Sequence, residues 1–131
     1  IGPGKRVMSA ASPVVLLREG QPFAALGSPG GRRVMSAIYQ VIVNLVDSGR
    51  TMQPAISAPR IHAEGRTTEV SSRFPEETID ALRSMGHEIA LRDETLSTSF
   101  FARPNGVMIH PETGDLHGGV FPFTPATAIG M

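Results

Sequence analysis

Residues 13–47 read PVVLLREGQPFAALGSPGGRRVMSAIYQVIVNLVD, and the order of apolar runs and breaks in this stretch predicts the architecture. Two β-rich runs, Val14–Leu17 and Phe23–Leu26, flank Arg18-Glu19-Gly20-Gln21, whose polarity and glycine suit a hairpin turn. Both runs are nearly continuous apolar, the pattern of strands buried on both faces. A serine, a proline and two glycines then break the chain. Beyond them, Arg32–Asp47 sets Val34, Ile38, Val41 and Leu45 at helical spacing, with Met35, Ile42 and Val46 on the neighbouring stripe. A helix apolar over most of its circumference is an interior helix, so Met35 reads as core. Gly49 is its stop signal.

The break itself, Gly27-Ser28-Pro29-Gly30-Gly31, has two readings. With Ser28 as N-cap and Pro29 as the first helical residue, the Gly30 and Gly31 amides fall among the free donors of the first turn. Lacking Cβ atoms, both can be approached closely, and the pair suits a developing oxyanion, where one donor is often worth ~3 kcal/mol. In the plainer reading Ser28 caps the Gly31 amide and nothing binds.

Outward from this stretch the chain is a series of short elements. A short helix is expected over Gln53–Ser57, ending before Pro59, and a strand over Thr67–Ser71. Pro75–Met85 reads as a surface helix: proline and Glu76–Glu77 in the first turn, Ile79, Leu82 and Met85 on one face, Gly86 as the stop. His87–Leu91, Ser97–Ala102 and Val107–His110 are strand candidates. Pro111–Asp115 turns the chain into a glycine- and proline-rich tail. The fold class is mixed α/β (α+β), with strands clustered early and late around one buried helix, in a single domain over residues 1–131.

Bulk properties exclude some functions. Twelve basic and twelve acidic side chains balance to zero, which argues against nucleic acid or an anionic membrane as the main partner. No apolar stretch approaches a membrane span. Without cysteine there are no disulfides and no thiolate metal sites. His62, His87, His110 and His117 lack ligand spacing, so no metal is expected. The start, Ile1-Gly2-Pro3-Gly4, has neither methionine nor a signal-peptide pattern, as in a processed product or part of something longer.

A second stretch gives these elements a family. PGKRVMSAASP (Pro3–Pro13), followed by two strands and GSPGG, resembles the small subunit of γ-glutamyltranspeptidases. AISAPRIH (Ala55–His62) is similar to the family's Ala-Pro-Arg-Phe/Ile-His segment, and FPEETIDALRSMGHEI (Phe74–Ile89) to its next helix and strand. The late Gly-Asp-Leu-His-Gly-Gly extends a set of matches that runs in order.

The resemblance implies part of an N-terminal nucleophile hydrolase, a four-layer αββα sandwich made by self-cleavage of a precursor. The new N-terminal threonine attacks a γ-glutamyl amide such as glutathione, with its own α-amine as base, and water or an amino acceptor resolves the acyl-enzyme. That chemistry requires no cofactor. The glycines matching Gly30 and Gly31 supply the oxyanion hole, and the serine matching Ser9 holds the substrate's α-carboxylate. Implied partners are a large subunit, the upstream part of the small subunit and a small γ-glutamyl substrate. Relatives often act outside the cytoplasm, which suggests a periplasmic or secreted protein.

The sequence departs from the family pattern at three places. The usual Ser-Ser pair is Ser9-Ala10, which removes one hydroxyl from the carboxylate site. The usual Asp-Pro-Arg near the end is Phe121-Pro122-Phe123. The threonine nucleophile lies upstream of these residues in the family, so this chain alone is expected to be inert. Arg60 and His62 read as structural, Lys5, Arg32 and Arg33 as solvated charges, and Glu76, Glu77 and Asp80 as a solvated helix face. Arg6 is a candidate partner for a carboxylate near the serine turn. Two other readings stay open: an amidase or acylase whose substrate lacks an α-carboxylate, and a non-catalytic scaffold or binding relative.

Overall fold

The computed structural model describes residues 2–98 and 100–129. Strands β1 (Val14–Arg18) and β2 (Gln21–Gly27) form the expected antiparallel hairpin, Val14 opposite Leu26 and Arg18 opposite Gln21. Its two turn residues, Glu19 (φ 53°) and Gly20 (φ 79°), are both left-handed, matching the twist of the flanking strands. A 3-10 turn over Gly31–Arg33 leads into helix α1 (Val34–Val46), and a shorter helix α2 (Met52–Ser57) follows. Past Val46, Gly49 at φ 61° lets the chain turn away from the helix.

Strands β3 (Ile61–Ala63) and β4 (Thr67–Ser71) come next, then helix α3 (Glu76–Ser84) and strand β5 (Glu88–Arg92). β3 is antiparallel to β4, which is parallel to β5, with α3 as the crossover. The chain then returns to the first sheet as β6 (Asn105–Ile109) and β7 (Leu116–Val120), giving the order β1-β2-β6-β7. The turn between them closes as the sequence suggests, His110 N–H bonding Asp115 O at 2.8 Å.

The core lies between the four-stranded sheet and the layer of α1 and α2. Phe23 and Leu26 of β2 and Met108 of β6 meet Ile38, Val41 and Leu45 of α1 there. Each such side chain contributes ~1.5–3 kcal/mol by leaving water. Gln40 ties α1 to the second sheet, donating to Ile61 O at 2.8 Å and accepting from Ile61 N–H at 2.9 Å.

Four expectations are corrected. The hairpin strands are covered on one face only: Val15 is 69% exposed, and Leu17, Val107, Ile109 and Leu116 join it on the open side. Helix α1 is likewise one-sided. Val34, Ile38, Val41 and Leu45 are buried as expected, but Met35 is 66% exposed with Tyr39 and Val46, so Met35 is not core. On α3 only Ile79 is buried, and Met85 is open to solvent. Among the described residues of the span 97–102 there is no strand: Thr95–Thr98 close a turn through Thr98 N–H to Thr95 O, and residue 99 lies outside the described residues.

The register decides what sits together. Val14 pairs with Leu26, Gly27 with Asn105, and Asn105 with Val120. One end of the sheet therefore gathers four segments: the serine turn entering β1, the glycine turn leaving β2, the residues entering β6 and those leaving β7.

Candidate active site

At that end the glycine turn has a shape other than the capped helix start expected from sequence. Pro29 is outside the helix, and the 3-10 turn begins at Gly31 with Gly30 before it and no side-chain cap. Ser28 Oγ donates to Pro29 O at 2.8 Å and accepts from Arg103 N–H at 3.1 Å, so it does not cap the Gly31 amide. A contact 75 residues away in sequence has replaced the local one.

Gly30 has φ 146° and ψ 16°, Gly31 has φ 59°, and both are conformations that glycine adopts readily. A Cβ on Gly30 would lie 2.3 Å from the Cβ of Ala102, whereas one on Gly31 would meet nothing within 4 Å. The turn thus has a closed back, formed by Ala102, and an open front. Among the described residues, neither glycine N–H donates to a protein acceptor. These are the two donors the sequence singles out.

Ser9 and Ala10 lie in the extended segment before β1, where Ser9 Oγ accepts from Ala11 N–H at 3.3 Å. Ser9 is exposed, and no hydrogen bond among the described residues ties this turn to the glycine turn. The shared sheet end brings the two segments to one side of the molecule. Among the described residues Arg6 has no ion-pair partner.

The front edge of α1 is anchored to the second sheet by charge. Arg33 is not a free solvated cation. Its Nη2 meets Glu69 Oε2 at 3.1 Å, and Arg92 Nε meets the other oxygen of the same carboxylate at 3.2 Å. Arg32, mostly exposed as expected, pairs with Glu64 at 2.7 Å. His62 is buried; its Nδ1 lies 2.9 Å from Ser36 Oγ, and Ser36 in turn donates to Arg33 O.

Arg60 is the largest fully buried side chain, 1% exposed. Its guanidinium donates to the carbonyls of Ile56 and Ala58, lies 3.6 Å from Glu94 Oε1 and sits under the Phe121 ring. Glu94, 2% exposed, also accepts from Ser71 Oγ and Arg73 Nε, each at 2.7 Å. Burial pushes the Arg60 pKa down to about 10 while Glu94 opposes the shift, so Arg60 stays a cation at neutral pH. Sequence reasoning missed Glu94, Ala102 and Arg103, because no local pattern marks a residue whose partners are distant.

The model of the family described as Gamma-glutamyltranspeptidase matches residues 1–129. The chain belongs to the γ-glutamyltranspeptidase family. The glutathione hydrolase proenzyme of Escherichia coli (strain K12) is 32% identical over 124 residues, covering 93% of this chain and 20% of its own length. The acylase ACY 1 proenzyme of Pseudomonas sp. (strain SE83) is 40% identical over 89 residues, 68% of this chain and 16% of its own length. A solved γ-glutamyltranspeptidase mutant from Helicobacter pylori has a TM-score of 0.82 at 28% identity, over 95% of this chain and 66% of that one. The chain therefore spans a fifth or less of the two curated relatives it matches here. The mixed α/β layers and these neighbours bear out the N-terminal nucleophile hydrolase fold. Among the described residues no helix is long and apolar enough to cross a membrane.

Proposed function

We propose that this chain is the C-terminal part of the small subunit of an enzyme that cleaves γ-glutamyl amides and passes the glutamyl group to water or an amino acceptor. The observation that supports it best is the glycine turn, with two unengaged amides on an open front at the sheet end shared with the Ser9 turn. The nucleophile is an upstream threonine with a free α-amine. Its oxygen bonds to the amide carbon as the α-amine takes the hydroxyl proton, and Gly30 and Gly31 N–H stabilise the carbonyl oxygen as it becomes an oxyanion. Collapse expels the amine with that proton and leaves the acyl-enzyme. Ser9 Oγ donates to the substrate α-carboxylate. The large subunit and the upstream segment cover the open sheet face, and the residues 1–131 alone are inactive.

The test is Gly31→Val in the assembled, self-processed enzyme. A bulky residue at the open front shields both amides, and kcat falls about 100-fold or more, the scale of losing an oxyanion donor. Unchanged turnover in a folded, processed variant would return the turn to a purely structural role.

A second reading is favoured by one residue. Ala10 lacks the second hydroxyl of the carboxylate site, and the chain is 40% identical to an acylase proenzyme over 89 residues. An acyl group without an α-carboxylate would fit such a site. In both readings a threonine stands at an upstream self-cleavage junction, and its absence from the full-length sequence would leave only a scaffold role.

A further inference from the structure

We propose that Ser28 is a positioning residue for the oxyanion donor on Gly30, acting through the carbonyl of Pro29; the inference rests on the role given above to Gly30 and Gly31. The peptide joining Pro29 to Gly30 is trans, so its C=O and its N–H point in opposite directions from one plane. Whatever fixes the carbonyl fixes the amide.

Two donors hold that carbonyl. Ser28 Oγ reaches Pro29 O at 2.8 Å, and Arg103 N–H reaches it at 3.1 Å. The same Arg103 N–H lies 3.1 Å from Ser28 Oγ, so hydroxyl, amide and carbonyl close a small ring. With both donors on the carbonyl side, the Gly30 N–H faces the other way. Hydrogen bonds to a peptide oxygen also draw charge toward it and make the N–H of that peptide a stronger donor.

The restraint matters because of the residue it acts on. Glycine has wide freedom in φ, and nothing in its own covalent structure holds Gly30 at 146°. Ala102 blocks retreat toward the back of the turn, since it already fills the space of a Gly30 side chain. Ala102 limits where Gly30 can go; the Ser28 hydroxyl and Arg103 amide set how its amide plane is tilted. A helix cap, the commoner task for such a serine, is not what Ser28 makes: its oxygen accepts from Arg103 N–H and from no first-turn N–H.

The experiment compares Ser28→Ala, Ser28→Cys and Ser28→Thr with the parent in the assembled, self-processed enzyme, with Gly31→Val alongside. For Ser28→Ala, kcat falls about five- to tenfold, the loss of one neutral hydrogen bond behind the donor, with KM within about twofold. Affinity for a tetrahedral phosphonate analogue falls by a similar factor. Ser28→Thr keeps the hydroxyl and restores most of kcat, and Ser28→Cys, a weaker donor of similar size, falls between. If Ser28→Ala does not self-process, the Cys and Thr variants decide the matter. Loss of turnover in Gly31→Val with parental kcat and phosphonate affinity across the Ser28 series would overturn the inference and spare the oxyanion role. Parental turnover in Gly31→Val would sink both.

Discussion

The Phe121 ring lies over the buried Arg60 guanidinium, 4.9 Å from ring centre to guanidinium carbon. In the family pattern an aspartate occupies the position of Phe121, two residues before the arginine that matches Phe123. Here Phe123 lies over Arg73 in the same way, at 5.5 Å, and the carboxylate that faces both arginines is Glu94. A ring attracts a cation through its negative face but does not neutralise it. Arg60 is therefore faced by a ring just past β7 and by one buried carboxylate, Glu94, just past β5.

Removing that carboxylate strands a buried cation. Glu94→Gln is expected to cost about 3–5 kcal/mol, seen as a large drop in the Tm of the assembled protein. Adding Phe121→Asp returns a carboxylate beside Arg60 and recovers part of the loss. Because burial lowers the native pKa of Arg60 to about 10, below its value in the unfolded chain, the unfolded chain holds this proton more tightly. The cost of burying the cation is full below about pH 10 and fades only as pH rises beyond it, so the Arg60 charge stays unchanged across the neutral range. An unaltered Tm for Glu94→Gln would show that the guanidinium needs only its carbonyls and the ring.

The back of the glycine turn tolerates no added methyl. Gly30→Ala should destabilise the protein by about 1–3 kcal/mol through overlap with Ala102, in addition to the strain of its φ. Ala102 is itself left-handed at φ 58°, a conformation glycine adopts without cost. Ala102→Gly combined with Gly30→Ala should recover only part of the stability, because the added Cβ would still lie 2.7 Å from the Cα of residue 102. Equal Tm values for the single and double variants would mean the clash is relieved elsewhere.

The proposed function makes position 10 a test of substrate choice. A hydrogen bond to a carboxylate is worth ~1.5–3 kcal/mol, so Ala10→Ser should raise kcat/KM on a γ-glutamyl anilide about tenfold or more. An analogue lacking the α-carboxylate should show no gain. If neither substrate responds and both react equally well, the acylase reading takes precedence.

The open sheet face sets the behaviour of the isolated chain. With Val15, Leu17 and Leu116 exposed on one side, residues 1–131 alone should self-associate on size exclusion. Val15→Lys with Leu116→Lys should yield a monomer, and the same pair should block assembly with the remaining subunits. A monodisperse, cooperatively folding parent chain would contradict this.

Local chemistry made much of the fold readable. Glu19-Gly20 could only be a tight turn between two β-rich runs, and the spacing of Val34, Ile38, Val41 and Leu45 located the buried stripe of α1. The errors have one physical origin: partners that sequence spacing cannot see. Ser28 looked like a cap because capping is local, but Arg103 competes for its oxygen. Strand β7 was hidden by Gly118 and Gly119, which read as part of a glycine- and proline-rich tail. They are glycines because added Cβ atoms would meet Ala128 at 2.6 Å and Met52 at 2.9 Å. Met35 looked buried because apolar character alone does not tell a core from a surface awaiting cover. Of the proposed site, Gly30, Gly31, Ser9 and Ala10 are named from sequence alone, whereas the Ala102 backing and the Glu94 carboxylate required the tertiary structure.

All four segments at the glycine-turn end hang from strands whose pairing is made by backbone, and backbone pairing does not depend on what the rim residues are. A hydroxyl can therefore be lost or gained at the exposed rim, at position 10, while the pleated frame beneath keeps its register.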